Sequence, residues 1–94
     1  MKYCRVYYKK QSDFRADAVP TEGELKADYA IVWQGYVADD TEAEYIRFSM
    51  EEIDGFQRPE EVRHTSMSVG DIVQFDDIYF QCRSTGWMDF TFKK

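Results

Sequence analysis

The 94-residue sequence predicts one α+β domain, a single helix packed on an antiparallel sheet of about five strands in the order β-β-α-β-β-β. Three observations predict it. Hydrophobic residues make up 44% of the chain and aromatics 17%, enough for a single core without a metal or disulfide staple. Several segments are rich in Tyr, Val, Ile and Phe and are bounded by turn residues. Only the segment from Asp39 to Asp54 repeats apolar residues at helical spacing. The length leaves room for one domain, residues 1–94, and not for two.

Lys2 to Lys10 reads as the first strand, with Cys4, Val6 and Tyr8 on one face and Tyr3, Arg5 and Tyr7 on the other. Gln11 to Asp28 is polar and contains Pro20 and Gly23, so it reads as a long loop. Tyr29 to Ala38 carries the strongest strand signal. Its alternation breaks after Trp33, which predicts a bulge at Gly35. Asp39-Asp40-Thr41-Glu42 then opens the helix, with Asp or Thr capping its free amides and the acids complementing its dipole. Ala43, Ile46, Met50 and Ile53 form a core-facing stripe. Tyr45 and Phe48 fall on the other side: either the helix stops near Met50 and Phe48 turns inward, or the pair faces outward as a binding patch. Gly55 can take the positive φ that ends such a helix. The last third reads as three short strands: Asp71 to Phe75, Ile78 to Arg83 across an Asp76-Asp77 turn, and Trp87 to Phe92 after Ser84-Thr85-Gly86. Cross-strand pairing is expected between Ile72 and Phe80 or Cys82, and between Val73 and Tyr79.

Net charge is −6, and the excess is local. Residues 39–61 hold nine acids against two bases, whereas residues 1–38 and 62–94 are close to neutral. Such a field disfavours phosphate backbones and favours a basic partner; an acidic, solvated helix face would produce the same count. No apolar run spans a bilayer and no export signal is visible, so the expected compartment is the cytoplasm. Cys4 and Cys82 are then expected to be buried free thiols rather than a disulfide.

The residues that carry chemistry are sparse. His64 is the only histidine, and neither cysteine lies in a setting that lowers a thiol pKa. No zinc-ligand spacing, calcium loop or phosphate loop is present, so neither catalytic residues nor a cofactor or metal is expected. Lys2, Arg5, Lys9 and Lys10 interleave with Tyr3, Tyr7 and Tyr8 in the manner of a single-strand-binding surface, which Lys93 and Lys94 could extend. The negative net charge weighs against direct nucleic-acid binding.

His64 to Val73 reads His-Thr-Ser-Met-Ser-Val-Gly-Asp-Ile-Val. Through Ser66, Ser68, Val69, Gly70, Asp71, Ile72 and Val73, then Tyr79, Gly86 and Trp87, this part resembles the YodL-like small proteins of bacteria, phages and mobile elements. The resemblance covers about a quarter of the chain and implies an accessory protein with no enzymatic activity. The same residues read physically as a turn and hairpin: the serines can bond nearby amides and Gly70-Asp71 permits a sharp turn into the strand. The expected function is therefore non-enzymatic binding and modulation of a host protein with a basic surface, narrowed to inhibition of a nucleic-acid-handling defence system. The expected contact residues are Asp39, Asp40, Glu42, Glu44, Tyr45, Phe48, Glu51 and Glu52. A structural or homo-oligomeric subunit is the main alternative, and a single-stranded nucleic-acid binder is the second.

Overall fold

The computed structural model describes residues 1–10 and 18–92. Its elements run β1 (Lys2–Lys9), α1 (Glu22–Asp28), β2 (Tyr29–Val37), α2 (Ala43–Ser49), β3 (Ile72–Phe75), β4 (Ile78–Arg83) and β5 (Gly86–Phe90). The five strands form one antiparallel sheet in the order β2-β1-β3-β4-β5. The α+β class and the strand count match the sequence reading. The single-helix pattern does not, because two helices are present among the described residues.

The additional helix, α1, lies inside the stretch read as a loop; residues 11–17 of that stretch are outside the described residues. A reciprocal capping box starts α1. Glu24 N donates to Thr21 Oγ1 at 3.1 Å, and Thr21 N donates to Glu24 Oε1 at 2.9 Å. Leu25 is the one residue of α1 that is buried.

α2 is shorter than the sequence suggests. It begins at Ala43 rather than among the aspartates, its N-cap is Glu42, and no side chain caps it. It ends at Ser49, whose hydroxyl donates back to the Tyr45 carbonyl. The following chain is drawn onto β2: Trp33 Nε1 donates to the Asp54 carbonyl at 2.7 Å, and Gln57 N donates to the Val32 carbonyl at 2.8 Å. Gly55 does take positive φ, 87°, but within this docked segment and well past the helix end. A seven-residue helix has little stability of its own. Burial of Ala43, Ile46 and Met50 in the main core holds it.

The bulge in β2 is displaced from Gly35 to Val32. Val6 pairs with Trp33 and Tyr7 with Ile31, so Val32 is the extra residue. The shift lets Val32 and Trp33 both contribute to the covered side, while Ile31, Gln34 and Tyr36 remain exposed. The β3–β4 register is also one residue from the expected pairing: Val73 opposes Phe80 and Gln74 opposes Tyr79. The two-residue Asp76-Asp77 turn sets it, with Asp76 at φ 52°.

The sheet has two unequal faces. α2 and the chain after it cover the first, where Cys4, Val6, Tyr8, Val32, Val73 and Phe75 form the main core. The second is only partly covered. Leu25 of α1 joins Tyr29 and Ile72 there, packed against Tyr7, Tyr79, Phe90 and Phe92. Beside this cluster the face is open: Tyr36 is 68% exposed, and Ile31 and Met88 are also exposed. Both cysteines are free and buried. β3 separates their strands, so at ~4.8 Å per strand they are beyond disulfide reach. Burial pushes the Cys4 thiol up to about 12, against a smaller opposing pull from the Lys2 ammonium.

Candidate functional site

The residues expected to meet a partner lie on α2 and in the turns on either side of it. Asp39 and Asp40 lie in the exposed turn before α2, where an Asp39 carboxylate oxygen pairs with the amino terminus at 3.1 Å. Glu51 and Glu52 lie in the turn after α2, where Glu51 accepts from the Ser66 hydroxyl. Glu44 is half-buried and accepts from Trp87 Nε1 at 2.7 Å, which ties α2 to β5. Tyr45 and Phe48 resolve the alternative left open by the sequence. They point outward, 67% and 77% exposed, even though the helix ends at Ser49. The main core is already filled by Ala43, Ile46 and Met50 from this segment.

A second feature was not foreseen. Between the start of α2 and the β3–β4 hairpin lies a groove of about 580 Å³. Phe75, Phe80, Trp87, Ile78 and Ala43 line it, and the carboxylate-bearing residues Glu42, Glu44, Asp76 and Asp77 complete its wall. Among the described residues Lys2 is the single cation of the lining, and its ammonium sits 3.9 Å from the centroid of the Phe75 ring. No local sequence signal could have revealed this groove. Each of its aromatics fits an ordinary strand pattern, and only the sheet order brings them beside α2.

The basic and aromatic residues of β1 divide between the two faces. Tyr8 is fully buried in the main core, and Lys2 lies over Phe75 on that side. Tyr3 and Arg5 lie on the open face, where both donate to Gln34 Oε1, at 3.1 Å and 3.3 Å. Tyr7 donates to Gln74 Oε1 at 2.6 Å, and burial raises its phenol to about 12. Lys93 and Lys94 lie outside the described residues.

The Ser-Met-Ser-Val-Gly-Asp segment is organised around a buried carboxylate. Asp71, 1% exposed, accepts from Lys9 N at Oδ1 and from Ser68 N at Oδ2, each at 2.8 Å. His64 Nε2 lies 2.8 Å from the same Oδ2. The His64 ring stacks on Tyr8 with centroids 4.7 Å apart, and Tyr8 donates to the Thr65 carbonyl at 2.8 Å. Gly70, at φ 99°, donates from its N–H to the Cys82 carbonyl and accepts from the Tyr29 hydroxyl, both at 2.8 Å. These bonds join the turn to β1, β2 and β4, which is the work of a scaffold.

Among the described residues, no three His, Cys, Asp or Glu side chains are placed to hold a metal ion. No helix among them is long and apolar enough to cross a membrane. No family model, curated protein or solved structure matches the chain.

Proposed function

We propose that this protein is a non-enzymatic binding module that engages a basic surface of another protein through α2 and the acidic turns on either side of it. The outward placement of Tyr45 and Phe48 carries the reading. They are large apolar side chains, 67% and 77% exposed, set in the most acidic stretch of the chain. Exposed aromatics supply anchor energy, and the surrounding carboxylates supply steering and selectivity. A narrower form follows from the YodL-like segment: a phage or mobile-element accessory protein, acting in the host cytoplasm, that occupies the basic groove of a nucleic-acid-handling defence complex.

Affinity capture from bacterial lysate tests this with three baits: the native protein, Y45A/F48A, and charge reversal at Glu42, Glu44, Glu51 and Glu52. A specific partner should be lost with both variants, and its binding should weaken as salt rises. A partner retained equally by all three baits would refute the reading. A second reading rests on the open sheet face, where exposed Tyr36, Ile31 and Met88 adjoin a cluster of aromatic rings. It makes the protein a homo-oligomeric or assembly subunit, and light scattering of a strict monomer at high concentration would count against homo-oligomerisation.

A further inference from the structure

The geometry points to the groove between α2 and the β3–β4 hairpin as the seat for one apolar side chain of the partner, flanked in the partner's sequence by Lys or Arg. This rests on the proposed binding function and specifies the chemistry of the segment recognised. The groove floor is aromatic: Phe75 is buried, while Phe80 and Trp87 are half-buried beside it. Ile78, 45% exposed, stands at its side with more apolar surface available to cover. The volume of about 580 Å³ lies within the usual range of ligand-sized sites.

The charge around that floor selects the occupant. Glu42 and Glu44 bring carboxylates from the helix side, and Asp76 and Asp77 from the hairpin side. Against these four acids stands Lys2, whose ammonium is engaged with the Phe75 ring. Glu44 and Asp76 already accept from Trp87 Nε1 and Tyr3 N, but both donors are neutral, so a purely apolar segment would leave the negative charge of the walls uncompensated, and an acidic one would be repelled. A segment with an apolar centre and cationic flanks satisfies floor and walls together. The Trp87 indole, bonded to Glu44, holds the helix side of the groove in place. That pre-organisation reduces the ordering cost of binding.

The test uses two-dimensional NMR of the full chain titrated with a short synthetic peptide, a single central Leu flanked by Lys and Arg, up to about 1 mM. Both tryptophans report, because Trp87 lines the groove while Trp33 is bonded to Asp54 on β2. The expected result is a saturable shift of the Trp87 indole and of Ile78, with the Trp33 indole unmoved. Ile78→Glu, and separately Glu42→Lys with Asp77→Lys, should each weaken binding at least about fivefold, the threshold of an anchor contact. A peptide with Gln in place of every Lys and Arg should lose binding, whereas Glu60→Lys, at an exposed acid outside the groove lining, should leave it intact. Each variant is scored only with native dispersion of the remaining signals, and Ile78→Ala replaces Ile78→Glu if the latter fails to fold. Shifts confined to Tyr45 and Phe48 would overturn the groove as the seat while leaving the wider binding function standing. No shift at the highest peptide concentration, or equal binding of the Gln peptide, would also overturn it. Loss of partner capture in Y45A/F48A is a separate measurement and decides the wider function by itself.

Discussion

Replacing Asp71 should destabilise the whole domain, and the size of the effect follows from what its carboxylate holds. Asp71→Ala leaves the Lys9 and Ser68 N–H groups without their acceptor and releases His64 from its 2.8 Å contact. Each stranded donor in a site of this burial costs roughly 1–3 kcal/mol, so the two together cost about 2–6 kcal/mol. A domain of this size is stable by only ~5–15 kcal/mol in total. At ~4–8 °C per kcal/mol, a central value near 4 kcal/mol lowers the melting temperature by roughly 15–30 °C. Asp71→Asn keeps one carbonyl oxygen but sets an amide NH₂ or an empty acceptor position against the other donors, so it should recover only about half of the loss. Urea unfolding of the three proteins measures this directly, and amide hydrogen exchange localises it. Lys9 and Ser68 should be protected in the native protein and exchange fast in Asp71→Ala. A cost below about 1 kcal/mol for Asp71→Ala, at unchanged denaturant slope, would refute the scaffold role and reopen this segment as a recognition element.

Three further outcomes are expected. Ile46→Ala should cost roughly 2–5 kcal/mol in urea unfolding, because Ile46 is 2% exposed and α2 is too short to persist without that burial. The α1 capping box should weaken on acidification: its backbone bond from Thr21 holds the Glu24 carboxyl below its ordinary value of 4.5. A depressed carboxyl pKa contributes its stabilisation above that ordinary value and loses it as pH falls through the lowered one, so Leu25 and Glu24 NMR shifts should move toward random coil in that window and stay fixed in Glu24→Gln. Cys4 should resist alkylation: with its pKa near 12, the thiolate fraction at pH 8 is ~10⁻⁴, about a thousandfold below that of an unperturbed thiol. Burial raises Cys82 as well, so mass spectrometry should find both thiols labelled only in denaturant, and native labelling within minutes would contradict their burial.

The strands were legible because each carries its own information. In β1, Cys4, Val6 and Tyr8 alternate with Tyr3, Arg5 and Tyr7, and the structure buries the first set and leaves the second half-exposed. The hairpin of β3 and β4 was marked by Asp76-Asp77, although its register depends on a turn geometry that alternation alone does not specify. α1 was missed despite the Thr21-x-x-Glu24 signature, because only Leu25 is buried and Gly23 lowers helix propensity. The length of α2 was overread from Ile53, which does pack against the core, but from a chain that Trp33 has already drawn off the helix axis. Asp71 was visible as a turn residue, and its bond from Ser68 N is local, yet its other backbone donor is Lys9, 62 residues away, so that part of its role could appear only with the fold.

The same distinction separates the carboxylates that build the protein from those available to a partner. Asp71 is nearly inaccessible and its carboxylate contacts Lys9, Ser68 and His64 inside the fold, so its charge adds little to the surface field. Asp39, Glu44 and Glu51 each contact another part of the chain: the amino terminus, Trp87 and Ser66. Those contacts orient the carboxylates while leaving the local excess of negative charge largely in place, since of these three partners the amino terminus is a cation and Trp87 and Ser66 are neutral. The acidic stretch therefore serves two ends at once. It contacts the rest of the chain on both sides of the short α2 and at Trp87, and it supplies Glu42 and Glu44 to one wall of the apolar groove. A helix of seven residues can present rigid side chains only if its neighbours hold it. Under the proposed binding function, the acids that look structural would also stiffen the adjacent aromatic surfaces.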